Sequence, residues 1–494
     1  MNYYIVLPSA ATFCCSLGWK YAHSALLIGS SNVTALLALL YYTCRLQVPQ
    51  EVSFKKMLIL SALCPLVGNI FYVKGYEHNL FSVSILGRLL IGFSSADMIN
   101  KQLVVTYRFK GDLVSELTKI RMVQLISIFT AILMGTINFE EKRIFIHGEL
   151  FIFDFNTISG YIMAVAWILQ LLGLTCSRFP QVMPERSPPD KSAEIYLSAS
   201  EHEDPQQYLL EKDYLLPGLL ARARSVSDTE GSNMNEAFKK KEGEQRVQVS
   251  ISDQIKSIVS MLKKTKKLVL HNIALPITFL VYGFVCLSIE IYLTSSVIIT
   301  SRYFQWNGVQ GGRFLALLSF WVLPTYFVMS YAITQFGERF VIKKSLMVML
   351  FGILLFVNYE ALYILFEHIG AIFRQDKADE PLTTYYDWEF GMPQYCCSII
   401  VMFLASVTLE GSSLSLLSKV SPDKLNRSTI NCAVIVSIIS YLGRIIGDAV
   451  IVAVGFSHRE INTDLVNSIS FVLLALCYCC YHVVKKHYFF LTGS

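Results

Sequence analysis

The sequence predicts an all-α membrane protein: twelve apolar helices in two six-helix halves, joined by a central polar linker. Three observations predict it. Hydrophobic residues make up 53% of the 494-residue chain and charged ones only 16%, whereas soluble domains sit near a quarter charged. Apolar stretches recur at lengths close to the ~20 residues a membrane-crossing helix needs, six before and six after one long polar segment. Lysines and arginines gather in alternate loops, as they do in loops that face the cytoplasm.

The first stretch, 2–18, is apolar but short, contains Pro8 and ends at Trp19-Lys20. It lacks the basic start and small-residue cleavage site of a signal peptide, so the chain reads as beginning partway through its first helix. The stretches at 24–44, 57–75, 80–103, 119–137 and 157–176 complete an N-terminal half over 1–176. Residues 177–267 follow, with SPPDKSAEIYLSASEHEDPQQ and FKKKEGEQ and no long apolar period. Such composition reads as a disordered, cytoplasmic linker. The stretches at 269–300, 311–333, 345–366, 394–418, 429–454 and 465–484 fill a C-terminal half over 268–494.

Orientation follows from the basic loops. Lys55 and Lys56 mark one, Lys101, Arg108 and Lys110 a second, Lys263 to Lys267 the linker's end, and Arg339, Lys343 and Lys344 another. Alternate loops are acidic, notably Asp376, Asp379 and Glu380. This places both chain ends and the linker in the cytoplasm.

Composition also excludes. A net charge of +5 spread over the loops gives nucleic-acid binding no support. The twelve cysteines lie in or beside apolar stretches, without a disulfide framework or metal-ligand spacing. No phosphate-binding loop, dinucleotide fingerprint or nucleophile elbow is present, so neither an enzyme nor a cofactor or metal site is expected.

The informative residues are charges inside apolar stretches, where they are costly and commonly face a bundle interior or a water-filled path. Glu410 lies in the tenth stretch with Ser406 and Ser413 on its face; Arg444 and Asp448 lie in the eleventh with Ser437 and Ser440. Two readings stand: an ion pair that holds helices in register, or a solute or proton path. In the fourth stretch Ser84, Arg88, Gly92 and Ser95 share a face, with Asp97 and Lys101 opposite. Arg88 reads either as a binding cation or as one that snorkels to the interface. In the seventh, Gly283, Cys286, Glu290, Thr294 and Ser301 share a face. Desolvation disfavours the ionised form of a buried carboxyl, which suits Glu290 as a proton carrier; pairing with Arg88 or Arg444 would keep it charged. Arg88, Lys101 and Arg444 are the candidate anion-binding residues. Glu290, Glu410 and Asp448 are the candidates for proton coupling or charge balance.

The linker carries two addresses. Glu211-Lys212-Asp213-Tyr214-Leu215-Leu216 fits an acidic dileucine sorting signal, read by adaptors for lysosomes or vacuoles through Glu211, Leu215 and Leu216. Arg222-Ala223-Arg224-Ser225-Val226-Ser227 fits a basophilic kinase site at Ser227.

The six-plus-six plan with a central linker is that of the major facilitator superfamily. Arg88 followed by Gly92 is similar to a fourth-helix motif of its proton-coupled members, and Gly337-Glu338-Arg339 with Lys343-Lys344 resembles its short cytoplasmic loop motif, an ion-pair latch between helices. Several stretches together resemble the SPX–MFS family of vacuolar phosphate transporters: NYYIVLPSA at 2–10, GRLLIGFSSADMINKQ at 87–102, FNTISGYIMAVAWIL at 155–169, SSVIITSRYFQW at 295–306, LEGSSLSLLSKV at 409–420 and RIIGDA at 444–449. The resemblance implies transport of a small anion, inorganic phosphate, by alternating access across a vacuolar or lysosome-like membrane. Arg88, Lys101, Glu290, Glu410, Lys419, Asn431, Arg444 and Asp448 match the family's polar positions. Two departures stand out. The sequence starts without the soluble SPX domain that such proteins usually carry. Asp97, Lys101 and Gln102 stand where the family is richer in Arg, and an Asp there repels an anion. The alternatives are a carrier of another solute, or a non-transporting scaffold or sensor that keeps the fold. A path plugged by aromatics such as Trp167 or Trp321 would favour the scaffold.

Overall fold

The computed structural model describes residues 2–47, 54–94, 123, 126–137, 142–146, 149–176, 273–360, 362–363, 390–421, 432–461 and 464–491. All of them lie in one compact unit formed by Met1–Phe179 and Ile258–Ser494. The fold is all-α and membrane-type: eight helical spans among the described residues are long and apolar enough to cross a bilayer.

Each of the twelve apolar stretches contains helix, but two are broken. The first is a 3-10 turn, Tyr4–Val6, and then a short helix α1, Ala10–Ser16. Pro8 between them has no N–H to donate, which stops a continuous helix. Gly18, at φ +75°, ends α1, and the Trp19 N–H turns back onto the Cys14 carbonyl at 2.9 Å. The eighth stretch is one 29-residue span in two pieces, α8 (Gly308–Phe320) and α9 (Val322–Phe336), interrupted at Trp321. Pro324 explains the break, because its ring clashes with the carbonyl four residues back, that of Phe320.

The other helices are unbroken as far as they are described. They are α2 (His23–Gln47), α3 (Phe54–Glu77), α4 (Phe81–Gly92), α5 (Ile126–Gly135), α6 (Ile158–Cys176), α7 (Ala274–Tyr303), α10 (Glu338–Phe356), α11 (Met392–Val420), α12 (Cys432–Ile461) and α13 (Leu465–Lys486). One hairpin, unforeseen in the sequence, joins β1 (Lys142–Ile146) to β2 (Glu149–Phe153), with Lys142 opposite Phe153 and Ile146 opposite Glu149. It is tied to the end of α3, where Glu77 accepts from the Ile152 N–H at 3.1 Å and from the Tyr161 hydroxyl at 2.6 Å.

In lipid every backbone polar group must be satisfied internally, and helices do this segment by segment. Side chains then sort by neighbour. Phe327, Val328, Tyr331, Leu169 and Phe351 are exposed and make up part of a lipid-facing surface. The most apolar window of α7 is 78% buried, against 17% for that of α6, so α7 is central and α6 peripheral. α7 packs on α11, α12 and α13, and α12 packs in turn on α2. These contacts bring the charged residues together.

Candidate functional site

The site is built on the facing sides of α7 and α12. Cys286, Glu290 and Thr294 line one face of α7, as the spacing predicts; Ser440, Arg444 and Asp448 line one face of α12. The helices approach closely because Gly447 leaves room: a methyl group there would sit 3.0 Å from Glu290 Cβ and 3.0 Å from the Leu287 carbonyl. On the other side of α12, Gly29 of α2 does the same for Asp448, whose Oδ2 would lie 2.7 Å from such a methyl.

Glu290 and Asp448 are both buried, and their carboxyls come within hydrogen-bonding reach of each other. The Thr294 hydroxyl lies 3.4 Å from Glu290 Oε1 and 3.1 Å from Asp448 Oδ1. It has one hydrogen and serves one carboxyl at a time. Asn32 of α2 donates from Nδ2 to Asp448 Oδ2 at 3.0 Å and lies 3.5 Å from the Tyr3 hydroxyl. Cys286 Sγ donates to Ser440 Oγ at 3.6 Å.

Arg444 lies close enough to Glu290 for direct electrostatic attraction. Its guanidinium carbon is 5.7 Å from the Tyr3 ring centre and 5.9 Å from that of Tyr4, within range of a cation–π contact. The two rings meet edge to face at 5.0 Å. Arg444 also borders a cavity of about 60 Å³, shared with Glu410 of α11, Cys286, Tyr4 and Ser319, and walled by apolar side chains such as Phe403. That exceeds the ~10–15 Å³ needed to admit one water, so the space admits more than one water or a small ion. Neither Trp167 nor Trp321 borders it.

Arg88 sits elsewhere. It is completely buried on α4 and borders no part of that cavity. Its Nε donates to the Leu27 carbonyl at 3.3 Å, Nη1 to the Asn2 carbonyl at 3.2 Å, and Nη2 to Ser31 Oγ at 3.4 Å. It does not snorkel; it ties α4 to α2 and to the segment carrying Tyr3 and Tyr4. Lys419 lies at the far end of α11, where its ammonium meets Glu338 Oε1 at 2.6 Å and Ser415 donates to the same oxygen at 3.0 Å. The Gly337-Glu338-Arg339 turn thus forms an inter-helix ion pair through Glu338. Lys101, Asp97, Asn431, Glu211, Leu215, Leu216 and the linker lie outside the described residues.

Sequence reasoning did not single out Asn32, Tyr3 or Tyr4. Asn32 had a legible signal: Ser30, Ser31 and Asn32 form a polar run inside an apolar span, and such residues commonly face a bundle interior. The tyrosines had none, since aromatic residues abound throughout the chain.

This architecture is a major facilitator-type fold. A crystal structure of a variant of the nucleoside transporter NupG superposes with a TM-score of 0.54 over 99% of this chain and 97% of that one, at 12% identity. In sequence, the chain is similar to SPX domain-containing membrane proteins of plants. Two from Arabidopsis thaliana are 28% and 26% identical over 97% of the chain, and one from Oryza sativa subsp. indica is 26% identical over 96%. The chain spans about three-fifths of the length of these relatives, 62% of the first. No family model matches the sequence.

Proposed function

We propose that this chain carries a small anion, inorganic phosphate foremost, across a vacuolar or lysosome-like membrane by alternating access. One observation carries the reading. Arg444, a planar five-donor cation, borders a small cavity between helices, with acidic groups beside it. A guanidinium in a low-dielectric site grips an oxyanion through paired charge-assisted hydrogen bonds. Glu290 and Asp448 balance that charge when the cavity is empty and take up a proton when the anion arrives. Arg88 supports the wall of the site, and Lys101 adds positive charge along the path. Residues 1–176 and 268–494 form the two halves, and 177–267 the cytoplasmic linker through which sorting adaptors reach Leu215 and Leu216.

A second reading has its own observation. Glu410 borders the same cavity as Arg444. A cation and a carboxylate facing one small space also suit a solute carrying both charges, such as an amino acid. Uptake of radiolabelled phosphate into proteoliposomes, with and without an imposed pH gradient, tests the first reading. Saturable uptake inhibited by arsenate supports it. Absent phosphate uptake together with uptake of a zwitterion replaces it by the second. Uptake of neither leaves the scaffold or sensor reading in its place.

A further inference from the structure

One end of the bundle combines cations and exposed aromatics in a way that the solute path does not use. α13 finishes on Lys485 and Lys486, both exposed, and the chain then makes a 3-10 turn at Tyr488–Phe490. That turn is held against the start of α10. Arg339 Nη1 donates to the Tyr488 carbonyl at 3.4 Å. The Arg339 guanidinium carbon and Lys343 Nζ lie 5.6 Å and 5.3 Å from the Tyr488 ring centre, and Lys344 Nζ lies 5.6 Å from that of Phe340. Arg339 and Lys343 therefore face this turn, with Lys344 next along α10 and Lys485 and Lys486 immediately before the turn in the chain. The acidic residue on these segments, Glu338, is already held by Lys419 and Ser415. Among the described residues, none of the five cations has a carboxylate within 4.0 Å.

The apolar part of this cluster points to what covers it. Phe489 is 84% exposed, Phe490 61% and Phe336 62%. Val348, Phe351 and Leu354 on α10 are exposed as well, though less so, and continue an apolar surface. The aromatics thus lie where acyl chains begin, and the cations lie beside them where headgroups begin. Aromatic rings belong at this depth, and basic clusters next to a span attract anionic headgroups. A free phosphate would account for the cations but not for exposed phenylalanines continuous with the lipid-facing wall.

We propose that Arg339, Lys343, Lys344, Lys485 and Lys486, with Phe489 and Phe490 as an apolar footing, form a docking site for the headgroups of anionic lipids. The site is independent of the solute carried.

The test uses the full chain in detergent micelles, titrated with short-chain fluorescent phosphatidylserine, phosphatidylinositol bisphosphate and phosphatidylcholine. Soluble inositol hexakisphosphate and inorganic phosphate serve as competitors. The anionic lipids are expected to bind at least tenfold tighter than phosphatidylcholine. Lys485→Gln with Lys486→Gln, both exposed, should cost roughly thirtyfold, since each juxtamembrane cation contributes about 1 kcal/mol. Adding Lys343→Gln and Lys344→Gln should abolish the preference. Phe489→Ser with Phe490→Ser keeps every charge and should still weaken lipid binding severalfold. Melting temperatures in phosphatidylcholine report folding; should the fourfold variant unfold, the exposed pair decides. Equal binding of all three lipids overturns the proposal, as does unchanged preference in the lysine pair. Soluble phosphates that compete fully, with Phe489 and Phe490 irrelevant, make it a free-anion site instead and equally overturn it.

Discussion

Asn32 donates its side-chain amide to Asp448 across 3.0 Å, joining α2 to α12 at a carboxyl that Thr294 of α7 also meets. Three helices from distant parts of the chain thus share one acidic group. A hydrogen bond to a charged group contributes about 1.5–3 kcal/mol. Asn32→Ala should lower the melting temperature of the solubilised protein and reduce pH-driven uptake. Asn32→Asp sets a second carboxyl against the first and should be the more damaging. If Asn32→Ala matches wild type in both stability and uptake, Asn32 has no part in the site.

Arg444 separates binding from scaffolding. Lysine keeps the charge but loses the planar fork that holds an oxyanion. Arg444→Lys should fold and reach its membrane yet transport at least tenfold less well. Arg444→Ala removes the cation whose charge acts on the buried Glu290 and should be retained or unstable. Normal transport by correctly localised Arg444→Lys removes Arg444 from the binding residues.

Gly447 tests the α7–α12 contact. A methyl there meets Glu290 Cβ and the Leu287 carbonyl, each at 3.0 Å. Overpacking typically costs about 1–3 kcal/mol, so Gly447→Ala should lower thermal stability measurably and Gly447→Val more. Wild-type melting of Gly447→Val would show that the helices pack more loosely than described.

Topology follows from the basic loops. A tag inserted at Ser192 should be cytosolic, and one at Asp376 should lie across the membrane. Protection of both tags on the same side of sealed vesicles would sink the twelve-span arrangement.

The proposed dileucine address is tested apart from the proposed transport. Leu215→Ala with Leu216→Ala should move the protein from vacuole or lysosome toward the cell surface, with uptake in proteoliposomes unchanged. Fluorescence microscopy of the tagged variant checks this, and unchanged localisation would mark the dileucine match as accidental.

What the sequence determined by itself is local or statistical. Hydropathy located the helices, because twenty apolar residues in lipid have helix as the simplest way to satisfy their backbone. Helical spacing put Cys286, Glu290 and Thr294 on one face, and Arg444 with Asp448 on another. Pro8 already marked the first broken stretch; the break beside Pro324 went unpredicted, and Pro65 sits within an unbroken helix. The partners of these faces were decided only by tertiary structure. Whether Glu290 met Arg88 or Arg444 stood open in the sequence; in the fold Arg444 is the cation whose charge acts on Glu290, and the close approach at Gly447 brings their two helices together. Arg88 has the composition of an anion-binding residue, yet its fork is occupied by the carbonyls of Leu27 and Asn2, groups every residue possesses and no pattern can flag. Tyr3 and Tyr4 joined the site for the same reason, whereas Asn32 stood out as a polar residue in an apolar span and only its partner was hidden. The energy that places them comes from contacts between residues hundreds of positions apart, and such contacts leave no local period to read.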